Sequence, residues 1–224
     1  MTRRPRRNLA AMTHPGESSG GAGASARREH DRRKVKREAG VRQRHPRLGG
    51  VILALSDAPQ HETSWSRGAD GEKLVEQALA KRCPHVALLH DRRIPGSRAN
   101  IDHIAVAPTG VWVIDTKRYK GKVQIAKPLF GKPTLTIAGR DKTKLVDGLA
   151  KQVQLVTAAL ADLYTGVPIR GCFCFVDSEL PLFGAPSVNG LTIFGRKGLA
   201  KQLNATGALP ADRAAALAHQ FPIA

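Results

Sequence analysis

The sequence predicts an α/β protein on three observations: a helix-period segment at 68–83, three short β-branched or aliphatic runs within 86–116, and a long amphipathic segment at 143–164. With 224 residues the chain accommodates one domain of ordinary size plus a tail. Hydrophobic residues make up 42% of it but aromatics only 4%, so Leu, Val, Ile and Ala have to supply the core.

In the first segment Leu74, Val75, Ala78, Leu79 and Cys83 fall on one continuous arc at 100° per residue, opposite Lys73, Gln77 and Lys81. Glu72 lies inside that apolar arc, where a carboxylate has to be paired, metal-bound or at the edge of a cleft. The strand runs are 86–90, 101–107 and 111–116, separated by Pro95-Gly96-Ser97 and Pro108-Thr109-Gly110. The last two read as a hairpin. A further strand pair is expected at 123–125 and 134–137, ahead of the amphipathic helix marked by Leu145, Leu149, Val153, Val156 and Leu160. Strands at 171–176 and 190–194 follow, then short helices at 198–203 and 210–220.

Before this lies a different composition. Residues 1–50 are rich in Arg, Gly, Ser and Ala, which favours a mostly disordered tail, although residues 24–37 could become a basic helix on binding an anion. The resulting division is a basic tail at 1–50, a linker at 51–64, the domain at 65–200 and a helical extension at 201–224. The net charge is +18, with +10 in the first fifty residues, and a field of that sign favours a polyanion: nucleic acid, or less readily an anionic membrane face. The odd cysteine count, Cys83, Cys172 and Cys174, without a C-x-x-C pair, reads as buried small hydrophobes in a reducing cytoplasm. No apolar run is long enough for a bilayer span, so no export or membrane insertion is expected.

The chemistry-bearing residues sit on the hairpin. A two- or four-residue turn sets Asp102 directly across from Asp115, and Lys117, two residues on, then shares their face; a three-residue turn would send Asp102 to the other face. Both strands are otherwise apolar on both sides, as Ile101, Ile104, Val106, Val111, Val113 and Ile114 show. Two carboxylates side by side there repel unless a cation lies between them, and Mg²⁺ or Mn²⁺ with oxygen ligands answers that demand. The alternative is an ordinary Asp115–Lys117 surface pair. His103 alternates to the face opposite Asp102, which favours a structural role. Arg92, Arg93 and Arg98, ahead of Asp102, lie where a phosphate backbone could be gripped.

These residues carry a family resemblance. Gly71-Glu72 at a helix start, residues 100–106 (Asn-Ile-Asp-His-Ile-Ala-Val), residues 110–117 (Gly-Val-Trp-Val-Ile-Asp-Thr-Lys), Gly121 and Gln152 together resemble the nuclease-related domain, NERD, of the PD-(D/E)XK restriction-endonuclease-like nucleases. The resemblance covers about residues 65–165. It implies an αβββαβ core with a mixed sheet flanked by helices, Asp102 and Asp115 as metal ligands, Glu72 as the helix acid and Lys117 as the catalytic lysine. Gln152 matches a glutamine that the family often carries, with a role in orienting Lys117 or a phosphate. The third-strand acid is Asp115 where many relatives have Glu, a shorter reach toward a metal. The function implied is Mg²⁺- or Mn²⁺-dependent hydrolysis of nucleic acid, DNA before RNA, and the alternative is a binding module that keeps the fold without turnover.

Overall fold

A computed structural model describes residues 21–44, 60–94, 100–161, 166–182 and 184–218. Two helices come first, α1 (Ala24–Arg44) and α2 (Gln60–Arg82). Strands β1 (Ala87–Arg93), β2 (Asn100–Ala107), β3 (Gly110–Ala126), β4 (Thr134–Ile137) and β5 (Arg140–Asp141) precede α3 (Lys144–Leu160). The chain continues through β6 (Ile169–Glu179), β7 (Ser187–Val188), β8 (Leu191–Gly195), α4 (Arg196–Leu203) and α5 (Ala211–Ala218). The expected αβββαβ order runs from α2 through β6.

The main sheet has the order β1-β2-β3-β6-β8-β7 and is mixed. β1, β2 and β3 are antiparallel neighbours, whereas β6 and β8 run parallel to β3 and to each other. The parallel step from β3 to β6 requires a crossover, and α3 lies within it. β3 is longer than its apolar run indicates: beyond Lys122 it leaves the central ladder and pairs with β4 instead. Gly121 has φ +99°, and a Cβ there would stand 2.8 Å from Cβ of Ala138, so the residue supplies both the backbone angle and the space for this turn.

Alternation along the strands divides the core into two layers. Ile104, Val106, Val111, Val113, Phe173, Phe175 and Ile193 face α3, whose Val146, Leu149, Val156 and Leu160 are buried against them. Ala105, Ala107, Trp112, Ile114, Cys172 and Cys174 face Val75, Leu79 and Cys83 of α2 and Leu199, Ala200 and Leu203 of α4. All three cysteines are buried and free, as their spacing led us to expect. Leu209 and Leu217, from the segment set apart in sequence as an extension, belong to the α3-side layer. Their attachment is close, for the amide of Leu209 donates to the carbonyl of Pro108 in the hairpin turn at 3.0 Å. Among the described residues no helix is long and apolar enough to cross a membrane.

Of the basic amino-terminal segment, residues 1–20 and 45–50 lie outside the described residues, as do 51–59 of the expected linker. The part between is α1, the helical form that its sequence reserves for a bound state. Its only large hydrophobic residue with described exposure, Val35, is 66% exposed, so α1 is held by other means than an apolar face.

Candidate metal centre

The hairpin turn decides the site. Ala107 pairs with Gly110, which leaves Pro108-Thr109 as a two-residue loop, and the ladder continues to His103 opposite Ile114. One step further sets Asp102 across from Asp115. The amide of Thr116 donates to Oδ2 of Asp102 at 2.8 Å and ties the two strands at that step. Asp102 and Asp115 both continue the row of side chains on the α3 face, and Lys117 follows two residues along.

Asp115 is buried, and Lys117 donates from Nζ to its Oδ1 and to the carbonyl of Thr116, the latter at 3.2 Å. Burial opposes the ammonium charge of Lys117, but Asp115 and Asp102 outweigh it and hold the lysine protonated. Asp102 is pushed well above the usual carboxylate range by burial first, then by the charges of Asp115 and Glu72, against the opposing pull of Lys117 and the Thr116 amide.

α2 brings in the third acid. It crosses β3 where a Cβ on Gly71 would lie 3.0 Å from Cβ of Arg118 and 3.6 Å from Cγ2 of Thr116. Glu72, the next residue, is half-buried and pushed up to about 7 by burial and by Asp91, with Asp115 adding to the rise and Lys117 opposing it. Glu72, Asp102, Asp115 and Lys117 therefore act on one another's charge, three acids around one ammonium.

Sequence reasoning missed Asp91. It is buried on β1 at φ +55°, in a break of the ladder between His90–His103 and Arg92–Ile101, and it accepts a 2.6 Å hydrogen bond from Nδ2 of Asn100. The only sequence signal is an acid closing an apolar run, and its direction depends on a backbone angle that spacing does not encode.

Gln152 stands on α3, over the face that carries Asp102 and Asp115, and its Oε1 is buried with no hydrogen-bond partner among the described residues. Arg92 is half-buried and Arg93 exposed on β1, and alternation sends them to opposite faces; Arg98 lies outside the described residues. His103 is fully buried opposite the acids, 3.0 Å from Oγ1 of Thr116 through Nε2 and 2.7 Å from Nδ1 of His90 through its own Nδ1.

Among the described residues no three His, Cys, Asp or Glu side chains converge closely enough to hold a metal unaided. Two neighbouring carboxylates suffice for Mg²⁺ when water and phosphate complete its octahedron. The donor set here fits a hard cation, since Asp102 and Asp115 offer only oxygen and each acid raises the cost of charge on the other.

A family model described as the nuclease-related domain, NERD, matches residues 67–176. An uncharacterized protein of Bacillus anthracis is 41% identical over 79 residues, 33% of this chain and 37% of that protein, so the match spans little more than a third of the relative's length. No solved structure matches.

Proposed function

Since residues 67–176 belong to the nuclease-related domain family, we propose that they form a metal-dependent phosphodiesterase site acting on nucleic acid, with DNA as the expected substrate. The observation that carries this reading is the register: Asp102 and Asp115 are cross-strand neighbours on one face, with Lys117 bonded to the second. An Asp115–Lys117 ion pair of purely structural use does not require further acids, yet Asp102 and, from another element, Glu72 bear on it.

In this proposal Asp102 and Asp115 would hold Mg²⁺ or Mn²⁺, and Glu72 would reach the cation through a bound water. Such a cation would polarise the scissile phosphate and acidify an attacking water. Lys117 supplies a fixed positive charge beside the position where the phosphate oxygens gain charge. Glu72, pushed up to about 7, has the proton affinity to accept a proton from water near neutral pH. Gln152 offers a buried acceptor to a water or to the Lys117 ammonium. Arg92 and Arg93 would touch the backbone rather than bases, which gives affinity without sequence preference.

The test is incubation of the purified protein with linear, nicked and single-stranded DNA, and with RNA, in the presence of Mg²⁺ or Mn²⁺. Metal-dependent cutting that is lost in Asp115→Ala and in Lys117→Ala is expected; uncut substrate in every lane, or full cutting by both variants, overturns it.

A second reading is a nucleic-acid-binding module without turnover, favoured by the ion pair through which Lys117 already neutralises Asp115. Calorimetry separates the two. Salt-sensitive DNA binding with no heat from Mn²⁺ would select the second.

A further inference from the structure

α1 begins beside the acids just described. Its first turn rests on α2 through Gly23, whose φ is +74° and whose absent Cβ would lie 2.8 Å from both Cα and the carbonyl oxygen of Ala69. Any larger residue there meets backbone, which cannot yield as a flexible side chain could. The backbone of Gly23 favours the charged form of the Glu72 carboxyl, and Arg27 closes the turn by donating to the carbonyl of Ala22 at 2.7 Å. One turn further, a guanidinium nitrogen of Arg28 stands 3.9 Å from Oδ2 of Asp91, with the arginine side chain 61% exposed and the aspartate side chain 4% exposed. The basic segment that reads in sequence as mostly disordered therefore includes a close-fitting contact at Gly23.

From that contact a line of charge leads outward. Arg28, Arg32 and Lys36 recur at four-residue intervals, which puts them on one side of the helix, and all three are exposed. Lys34, Arg42 and Arg44 are exposed as well, and residues 24–44 carry nine Lys/Arg against Glu29, Asp31 and Glu38. A helix with this charge and no apolar stripe matches neither a protein groove nor a membrane interface, both of which demand large apolar side chains. It does match a row of phosphates.

We propose that α1 is a latched arm for the phosphate backbone of nucleic acid: Gly23 locks its start onto Ala69 and Glu72, so that phosphates held by Arg28, Arg32 and Lys36 lead to the Asp91–Asp102–Asp115 edge. This rests on the reading of the site as one that acts on nucleic acid. It adds that the charges work through their position, not merely as a diffuse basic tail. Position and charge can be varied separately, because Gly23→Val removes the latch and leaves every charge in place.

The experiment measures duplex DNA binding in EDTA, across a salt series, for the full chain and three variants. Gly23→Val is expected to bind about tenfold more weakly and with a shallower salt dependence. Arg28→Gln/Arg32→Gln/Lys36→Gln should lower the salt slope by about 2 to 3. An equal charge change at Lys127, Lys132 and Arg140, on the β3–β5 arm, should lower affinity far less. Thermal melting checks that each variant retains the α/β core, and the charge variants test the arm even if Gly23→Val melts early. Binding by Gly23→Val equal to or tighter than that of the parent chain, or identical losses from the two charge variants, overturns the arm while leaving the functional reading intact. A parent chain that binds no nucleic acid overturns both.

Discussion

Nδ1 of His90 lies 2.7 Å from Nδ1 of His103, so one ring must offer a proton and the other a lone pair, and the pair cannot be doubly charged without losing the bond. His103 is held well below the ordinary histidine range by burial first and by its neighbour second. A histidine depressed in the folded state contributes stability that is complete above the unfolded pKa of 6.5 and is lost as pH falls through the folded value. Acidification below about pH 6 should therefore destabilise the parent chain more than a His103→Gln variant, as urea denaturation at a series of pH values would measure.

Glu72 has the opposite sign. Its carboxyl is raised from 4.5 to about 7, so the folded chain binds the extra proton, and the associated stability is full below 4.5 and lost as pH rises through 7. Relative to Glu72→Gln, the metal-free protein should lose about 1–3 kcal/mol between these limits. If Glu72 joins a cation, Mn²⁺ should abolish most of that loss. An identical pH profile for the two proteins would contradict the crowding of acids.

Lys117→Met keeps the length of the stem while removing the charge that balances Asp115. The metal-free variant should be less stable by about 1–3 kcal/mol at neutral pH, because a buried carboxylate loses its charged partner. Stability unaffected by the substitution would mean that solvent already screens the pair.

Asp102→Asn makes the reverse prediction. It relieves repulsion with Asp115 and Glu72 while keeping an acceptor for the Thr116 amide, so the metal-free protein should melt higher. Mn²⁺ affinity measured by calorimetry should fall at least about tenfold if this carboxylate is a ligand. A lower melting temperature together with unchanged Mn²⁺ binding would remove Asp102 from the centre.

Gly207→Ala tests the carboxyl-terminal attachment. A Cβ at Gly207 would stand 2.0 Å from the carbonyl oxygen of Pro108 and 2.6 Å from the amide nitrogen of Thr109. The loop has to move off the hairpin turn, and Leu209 and Leu217 with it, at a cost of about 1–3 kcal/mol. Chemical denaturation reads the loss directly.

Much of the centre was legible because it depends on parity. A two-residue turn, alternation and a hydrophobic background are enough to place Asp102, Asp115 and Lys117 on one face, and an acid in an apolar helical arc singles out Glu72. What escaped depends on backbone angles and close approaches. Asp91 turns inward through a positive φ, α1 docks through a glycine whose value is the side chain it lacks, and β3 runs unbroken through residues 118–122 into the strand expected at 123–125. Hydropathy periodicity is silent on all three, since none is a matter of which face is oily.

The length of β3 has a consequence for how this domain can change. Its first part is paired with β2 and β6, an irregular step falls between Arg118 and Gly121, and from Val123 onward the strand pairs with β4. Asp115 and Lys117 ride on the first part, whereas the outer hairpin hangs from the other. Altered loops in that overhang would remodel what approaches the acids, while Asp115 and Lys117 stay in the ladder with β6.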